Sequence, residues 1–158
     1  MSAKHMFSLY SLKSGIEITP EIKVNDTKGQ AEGRVMLRFF LLQAPGAAAA
    51  GKATQIKFLL EPWEAFDLAL RMEKVFQNGG KEKITHKFTP PGQAEMVTSV
   101  TIDKWKNGQK SGLGIAVARG DSFISVPVGA DSVSRFLYAA EFLRFLSTRQ
   151  GWINKEAA

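Results

Sequence analysis

The sequence predicts an α+β protein of antiparallel strands and two helices in the order ββββα twice over, an element order that fits several antiparallel folds. Three observations carry this. Short alternating runs rich in β-branched and aromatic residues recur between clusters of Gly, Pro, Asn and Asp. Two longer stretches place apolar residues at helical spacing. Each of these stretches closes one set of strands, so the order of elements repeats on either side of Gly79 and Gly80.

The strands of the first half are expected at Phe7 to Tyr10, Gly15 to Val24, Arg34 to Leu42 and Thr54 to Leu60. Asn25, Asp26, Lys28 and Gly29 supply the turn between the second and third, which makes that pair a hairpin and antiparallel. A loop with Pro45 and four successive alanines fills Gln43 to Ala53. Pro62 suits the first turn of a helix, where a missing N–H costs nothing, and Asn78, Gly79 and Gly80 stop it. Trp63, Phe66, Leu70 and Phe76, with Ala69 and Met72 beside them, are its apolar residues. In the second half, strands are expected at Lys81 to Phe88, Glu95 to Asp103, Leu113 to Arg119 and Ser122 to Val128. The last helix spans about Ser132 to Arg149, with Asp131 or Ser132 as N-cap and Val133, Phe136, Leu137, Ala140, Leu143 and Leu146 as its main stripe.

A length of 158 residues with 44% hydrophobic content suits one domain with a real core. The expected organisation is a disordered leader over 1–6, a single domain over 7–152 made of halves 7–80 and 81–152, and a tail over 153–158. A formal net charge of +6 produces a field that attracts polyanions, nucleic acid first among them. The absence of cysteine removes disulfides, thiolate metal sites and thiol nucleophiles together. No signal peptide and no run of about 18 apolar residues occurs, so the expected location is the cytoplasm, or the nucleoid if the source is prokaryotic, with no membrane partner.

Several stretches narrow the family. Gly33-Arg34-Val35-Met36-Leu37-Arg38-Phe39-Phe40 resembles the Gly-x-Val-Met-Leu-x-Phe-Trp segment of the Whirly proteins. Ile18-Thr19-Pro20 stands where that family has Val-Thr-Pro, and Phe7 to Tyr10 resembles its aromatic first strand. Phe123-Ile124-Ser125-Val126-Pro127-Val128, then a helix closing at Gly151-Trp152, is similar to its second-half ending. The resemblance covers about Phe7 to Trp152 and implies a Whirly-like fold of two four-stranded antiparallel sheets, each followed by a helix. That architecture is related to a single-repeat transcriptional coactivator module and to kinetoplastid guide-RNA-binding proteins. It further implies binding of single-stranded DNA or RNA by a homotetramer with helices at the centre. The family's Lys-Gly-Lys-Ala-Ala-Leu signature aligns with Ser11 to Ile16, where only Lys13 and an apolar last residue remain. That departure argues against assemblies larger than the tetramer.

Single strands are held by cations along the phosphates and by rings on which bases stack. Alternation in the third strand places Val35, Leu37, Phe39 and Leu41 on one face and Arg34, Met36, Arg38 and Phe40 on the other. The second set fits such a platform, and it equally fits Met36 and Phe40 packed beneath a helix with arginines covering the sheet. Lys57, Lys81, Lys83 and Lys87 extend the positive surface or mark solvated strand edges. Trp105, between Lys104 and Lys106 at a hairpin end, is a stacking candidate or a ring folded back on its sheet. Trp63 and Trp152 are assigned to the core or the helix interface. The expected nucleic-acid contacts are therefore Lys13, Arg34, Arg38, Phe40, Lys57, Lys83, Lys87 and Trp105. Tyr138, Phe142 and Phe145 form a second aromatic face on the last helix and are the expected oligomer interface.

Competing motifs are poorer. Gly46 to Lys52 resembles most of a phosphate-binding P-loop, but Ala53 stands where Ser or Thr would bind Mg²⁺ and a strand follows instead of a helix. Gly112-Leu113-Gly114 lacks the third glycine of a dinucleotide fingerprint. His86, alone outside the leader, makes a poor metal ligand or general base, so no catalytic residue, metal or cofactor is expected. A protein-interaction scaffold using the same Phe40 and Trp105 surfaces is the alternative to nucleic-acid binding.

Overall fold

The computed structural model describes residues 6–25, 29–42 and 54–156. Strands β1 (Phe7–Tyr10), β2 (Ser14–Asn25), β3 (Gln30–Leu41) and β4 (Gln55–Leu60) lie side by side in that order as sheet A. Strands β5 (Lys81–Phe88), β6 (Met96–Asn107), β7 (Lys110–Arg119) and β8 (Ser122–Gly129) make sheet B in the same way. Every neighbouring pair is antiparallel. Helix α1 (Pro62–Asn78) follows sheet A, and helix α2 (Val133–Glu156) follows sheet B after one 3₁₀ turn at Ala130–Ser132. The predicted ββββα repeat is present in both halves. The P-loop-like run Gly46 to Lys52 and the expected leader, apart from Met6, lie outside the described residues.

The β6–β7 and β7–β8 connections are two-residue hairpin turns. Gly108 (φ 65°) and Gly120 (φ 57°) take the first central position, while Gln109 and Asp121 keep negative φ, the pattern of a type II′ turn. This turn matches the right-handed twist of the strands it joins. Alternation then sorts the side chains: Ile16, Ile18, Val35, Leu37, Phe39, Ile56, Phe58 and Leu60 are buried on one face of sheet A. Val100, Ile102, Ile115, Val117, Ile124 and Val126 do the same for sheet B, and all belong to one continuous core.

The helices do not stay with their own halves. Helix α2 lies mainly along β3, with β1 and β2, whereas α1 touches β5 and β6 of sheet B as well as β3 and β4, and the two helices pack along each other. At the C-terminal end of α2 the helix backbone rests on Gly33, where an added Cβ would stand 2.2 Å from the Gln150 carbonyl oxygen. The Gln150 amide donates to the carbonyls of Glu21 (2.7 Å) and Arg34 (3.1 Å), fastening the helix of the second half to the sheet of the first. Between the helices, Arg144 pairs with Glu73. Its hydrogen bond holds the Glu73 carboxyl below the ordinary carboxylate range, against the opposing effect of burial.

Two expectations about the helices require correction. In α1 the inward face is Ala65, Leu68, Ala69, Met72 and Val75 with Phe76 packed against the core, so of the expected apolar residues Trp63, Phe66 and Leu70 face out. Trp63 is 65% exposed, Phe66 and Leu70 each 45%, and Trp152 of α2 65%, so neither tryptophan is in the core. Small side chains at 65 and 69 let α1 approach its neighbours closely, which the bulkier stripe would prevent. Helix α2 also continues to Glu156, through the start of the expected tail.

Candidate nucleic-acid interface

The outer face of sheet A is built by cross-strand register. Glu17, Arg38 and Lys57 stand opposite one another on β2, β3 and β4, and Gly15, Phe40 and Gln55 form the next rung. An added Cβ on Gly15 would lie 2.5 Å from the Phe40 ring and 2.9 Å from that of Tyr10. The missing side chain is therefore what seats these rings, which meet edge to face with centroids 5.7 Å apart. The Arg38 guanidinium lies 4.7 Å from the Phe40 centroid, a cation–π contact.

Arg38 does not present a free charge. Its Nε donates to Glu17 at 3.1 Å, a second nitrogen pairs with the same carboxylate, and Nη1 donates to Gln55 at 2.9 Å. Arg34 is committed likewise: it pairs with Glu32 at 2.8 Å, lies 3.9 Å from Glu61, donates to the Gly33 carbonyl, and its side chain is 12% exposed. Lys57 is exposed and, among the described residues, has no carboxylate partner. Of the three cations expected on this face, Lys57 is the one whose charge is available.

The sheets meet at one end in a cleft of about 680 Å³, lined by the β1–β2 turn on one side and by β8 and the start of α2 on the other. The Ser14 hydroxyl donates to the Ser125 carbonyl across it. Lys13 and Arg135 supply two cations to its wall, Tyr10 and Trp105 supply two rings, and among the described residues no carboxylate lines it. The Trp105 ring lies over Gly112, where an added Cβ would be 2.5 Å from the indole, and its N–H donates to the Leu113 carbonyl at 3.0 Å. The ring is thus half-buried and fixed rather than free at the hairpin tip. Through Tyr10 and Phe40 the cleft is continuous with the outer face of sheet A.

Lys83 and Lys87 are exposed on β5, on the outer face of sheet B, and Lys83 stands opposite Thr101. They are not gathered into the cleft. Tyr138 (61% exposed) and Phe145 (47%) lie outward on α2, while Phe142 is half-buried and meets the Phe7 ring at a tilt of 43°, with centroids 6.0 Å apart. They share an antiparallel helix pair with Trp63 and Phe66, since Gly151 approaches Pro62 and Arg144 lies 5.9 Å from the Phe66 ring.

Sequence reasoning missed Tyr10 and Arg135. The signal for Tyr10 was the glycine opposite it at 15, which clears space for a ring. Arg135 had no signal, because its place depends on how the sheets meet. His86 is held by Glu64 at 2.7 Å and stacked on Phe58 at 4.1 Å, and among the described residues no group of three or more His, Cys, Asp or Glu could hold a metal. Among the described residues no helix is long and apolar enough to cross a membrane.

No family model matches the chain, and no curated protein does. Among solved structures, the plant transcriptional regulator PBF-2 is similar with a TM-score of 0.58 and 17% identity, over 98% of this chain and 87% of that one. WHY3 from Arabidopsis thaliana gives 0.56 and 14%, over 99% and 93%. WHY1 from Arabidopsis thaliana gives 0.52 and 15%, over 99% and 90%. The fold is Whirly-like across nearly the whole chain.

Proposed function

We propose that this Whirly-like chain binds single-stranded DNA or RNA with little sequence preference, as a homotetramer, and catalyses no reaction. The observation that carries the reading is the cleft between the sheets, where two cations and two fixed rings converge and, among the described residues, no carboxylate joins them. Phosphates need the first and bases the second. The likeness to a plant transcriptional regulator supports it from the side of the fold. The tetramer rests on the apolar helix pair, since a protein that exposes Trp63, Phe66, Leu70, Tyr138, Phe145 and Trp152 on adjoining helices has a surface suited to a second copy.

Fluorescence anisotropy of a labelled single-stranded oligonucleotide, DNA and RNA side by side, tests binding. Affinity falls as salt rises, with a slope of about 0.7 in log–log form for each phosphate neutralised. Lys57→Ala and Lys13→Ala each lower that slope by roughly this amount and weaken all sequences alike. Arg38→Ala acts differently: it strips Glu17 of its partner and leaves a bare carboxylate on the platform, so Glu17→Gln restores part of the loss. Trp105→Ala loses about 1–3 kcal/mol, the range of one stacked base, with the slope unchanged. Absence of binding at low salt would leave the protein-interaction scaffold as the better reading.

A further inference from the structure

A second, smaller recess lies at the opposite edge of sheet A, where β4 meets the ends of β5, β6 and β7. Its volume is about 220 Å³, below the roughly 300–1,000 Å³ of sites that enclose drug-sized ligands, so it suits a single planar heterocycle. One wall is a stack already begun: the buried Phe58 ring covers one face of His86 at 4.1 Å and 15°. Glu64, which also accepts the Glu61 N–H at the start of α1, holds the imidazole Nε2 at 2.7 Å. His86 remains 34% exposed in this fixed pose. Phe88 and Met96, opposite each other on β5 and β6, form an apolar rim and are 62% and 40% exposed.

Arg119 is the polar group of the recess. Its Nε donates to the Thr98 hydroxyl at 2.8 Å and one terminal nitrogen to the Lys57 carbonyl at 2.7 Å. These two bonds fix the plane of the guanidinium and leave some of its five N–H donors uncommitted. A fixed arginine fork matches a base that offers two adjacent acceptors, as guanine does with O6 and N7. Lys57 lies on the same rim, at the end of the Glu17–Arg38–Lys57 rung that crosses sheet A. Three strand spacings, about 14 Å, therefore separate the cleft side of the sheet from this recess, a span that a few nucleotides of an extended strand cover.

We propose that the Phe58–His86–Arg119 recess takes one unstacked base of the bound strand and prefers guanine there. This rests on the single-strand binding proposed above and adds one selective position to an otherwise tolerant site. The base stacks on His86 and its O6 and N7 accept from Arg119.

Anisotropy titrations compare an all-thymidine oligonucleotide with two variants carrying one central guanine or one central adenine. Guanine is expected to bind at least about fivefold more tightly than adenine, the low end of what a bidentate arginine–guanine pair provides. Arg119→Lys keeps the charge but not the fork, and is expected to abolish the preference while affinity for all-thymidine is retained. Because Arg119 also ties β4 to β7, Phe88→Ala is the second variant, and it lowers guanine affinity without touching those bonds. Equal binding of the guanine and adenine oligonucleotides by the unmodified protein overturns the recess and leaves the general reading intact. Failure of all three to bind removes both.

Discussion

Gly33→Val is expected to unseat helix α2 and cost the protein about 3 kcal/mol or more, at the top of the range for overpacking. The Cβ it adds would stand 2.2 Å from the Gln150 carbonyl oxygen and 2.8 Å from its carbon. Those are backbone atoms of a helix held by two hydrogen bonds from the Gln150 amide, so no side chain can swing aside. Lifting the helix breaks those bonds and opens the core beneath Phe136, Ala140 and Leu143, all buried. For a domain of this size each 1 kcal/mol lowers Tm by roughly 2–4 °C, so the fall is about 6–12 °C. Thermal denaturation followed by circular dichroism measures it, with Gly129→Ala, where nothing lies within 4 Å of the new methyl group, as the control. An unchanged Tm for Gly33→Val would mean that the helix does not rest where it is described.

The second large effect is on assembly. A tetramer of 17.4 kDa chains has a mass near 70 kDa, and Phe145→Asp or Trp63→Asp is expected to reduce it to smaller species. Both residues project from the helix pair, at 47% and 65% exposure in the single chain, so the folded protomer tolerates a carboxylate there. Burial in a subunit interface is another matter, since an unpaired carboxylate taken from water costs several kcal/mol, and a symmetric assembly repeats that cost in every copy. Light scattering reads the mass directly. A value near 17 kDa for the unmodified protein would end the tetramer proposal and leave single-strand binding standing.

What the sequence made legible was whatever depends on local pattern. Alternation placed Val35, Leu37 and Phe39 inward and Arg34, Met36, Arg38 and Phe40 outward, and turn residues located both glycine hairpins of sheet B. The third strand nevertheless begins at Gln30, ahead of the expected Arg34, because pairing with β2 carries it past the alternating run. Choices between two faces of one helix were not legible. In α1 the larger aromatic stripe looked like core, yet Ala65 and Ala69 face inward because close approach to the sheets and to α2 decides the matter. Ion pairing was equally hidden: Arg38 meets Glu17 through strand register, across 21 positions of sequence, which no local reading reveals. The cleft needed both sheets in place, so Lys13 and Trp105 were found singly and their convergence was not.

The exchange of helices between the halves has a consequence for how the chain is made. Sheet A is complete once β4 has left the ribosome, but the helix that covers most of it, α2, begins at Val133, about 70 residues after the end of β4. At roughly 5–20 residues per second, that apolar face waits on the order of 4–15 seconds for its cover. During this interval Val35, Leu37 and Phe39 belong to a half-protein that α1 alone covers only in part, open to aggregation or to a holding chaperone. A chain cut after Gly80 would remain in that state, and the two halves made separately would fold only when mixed.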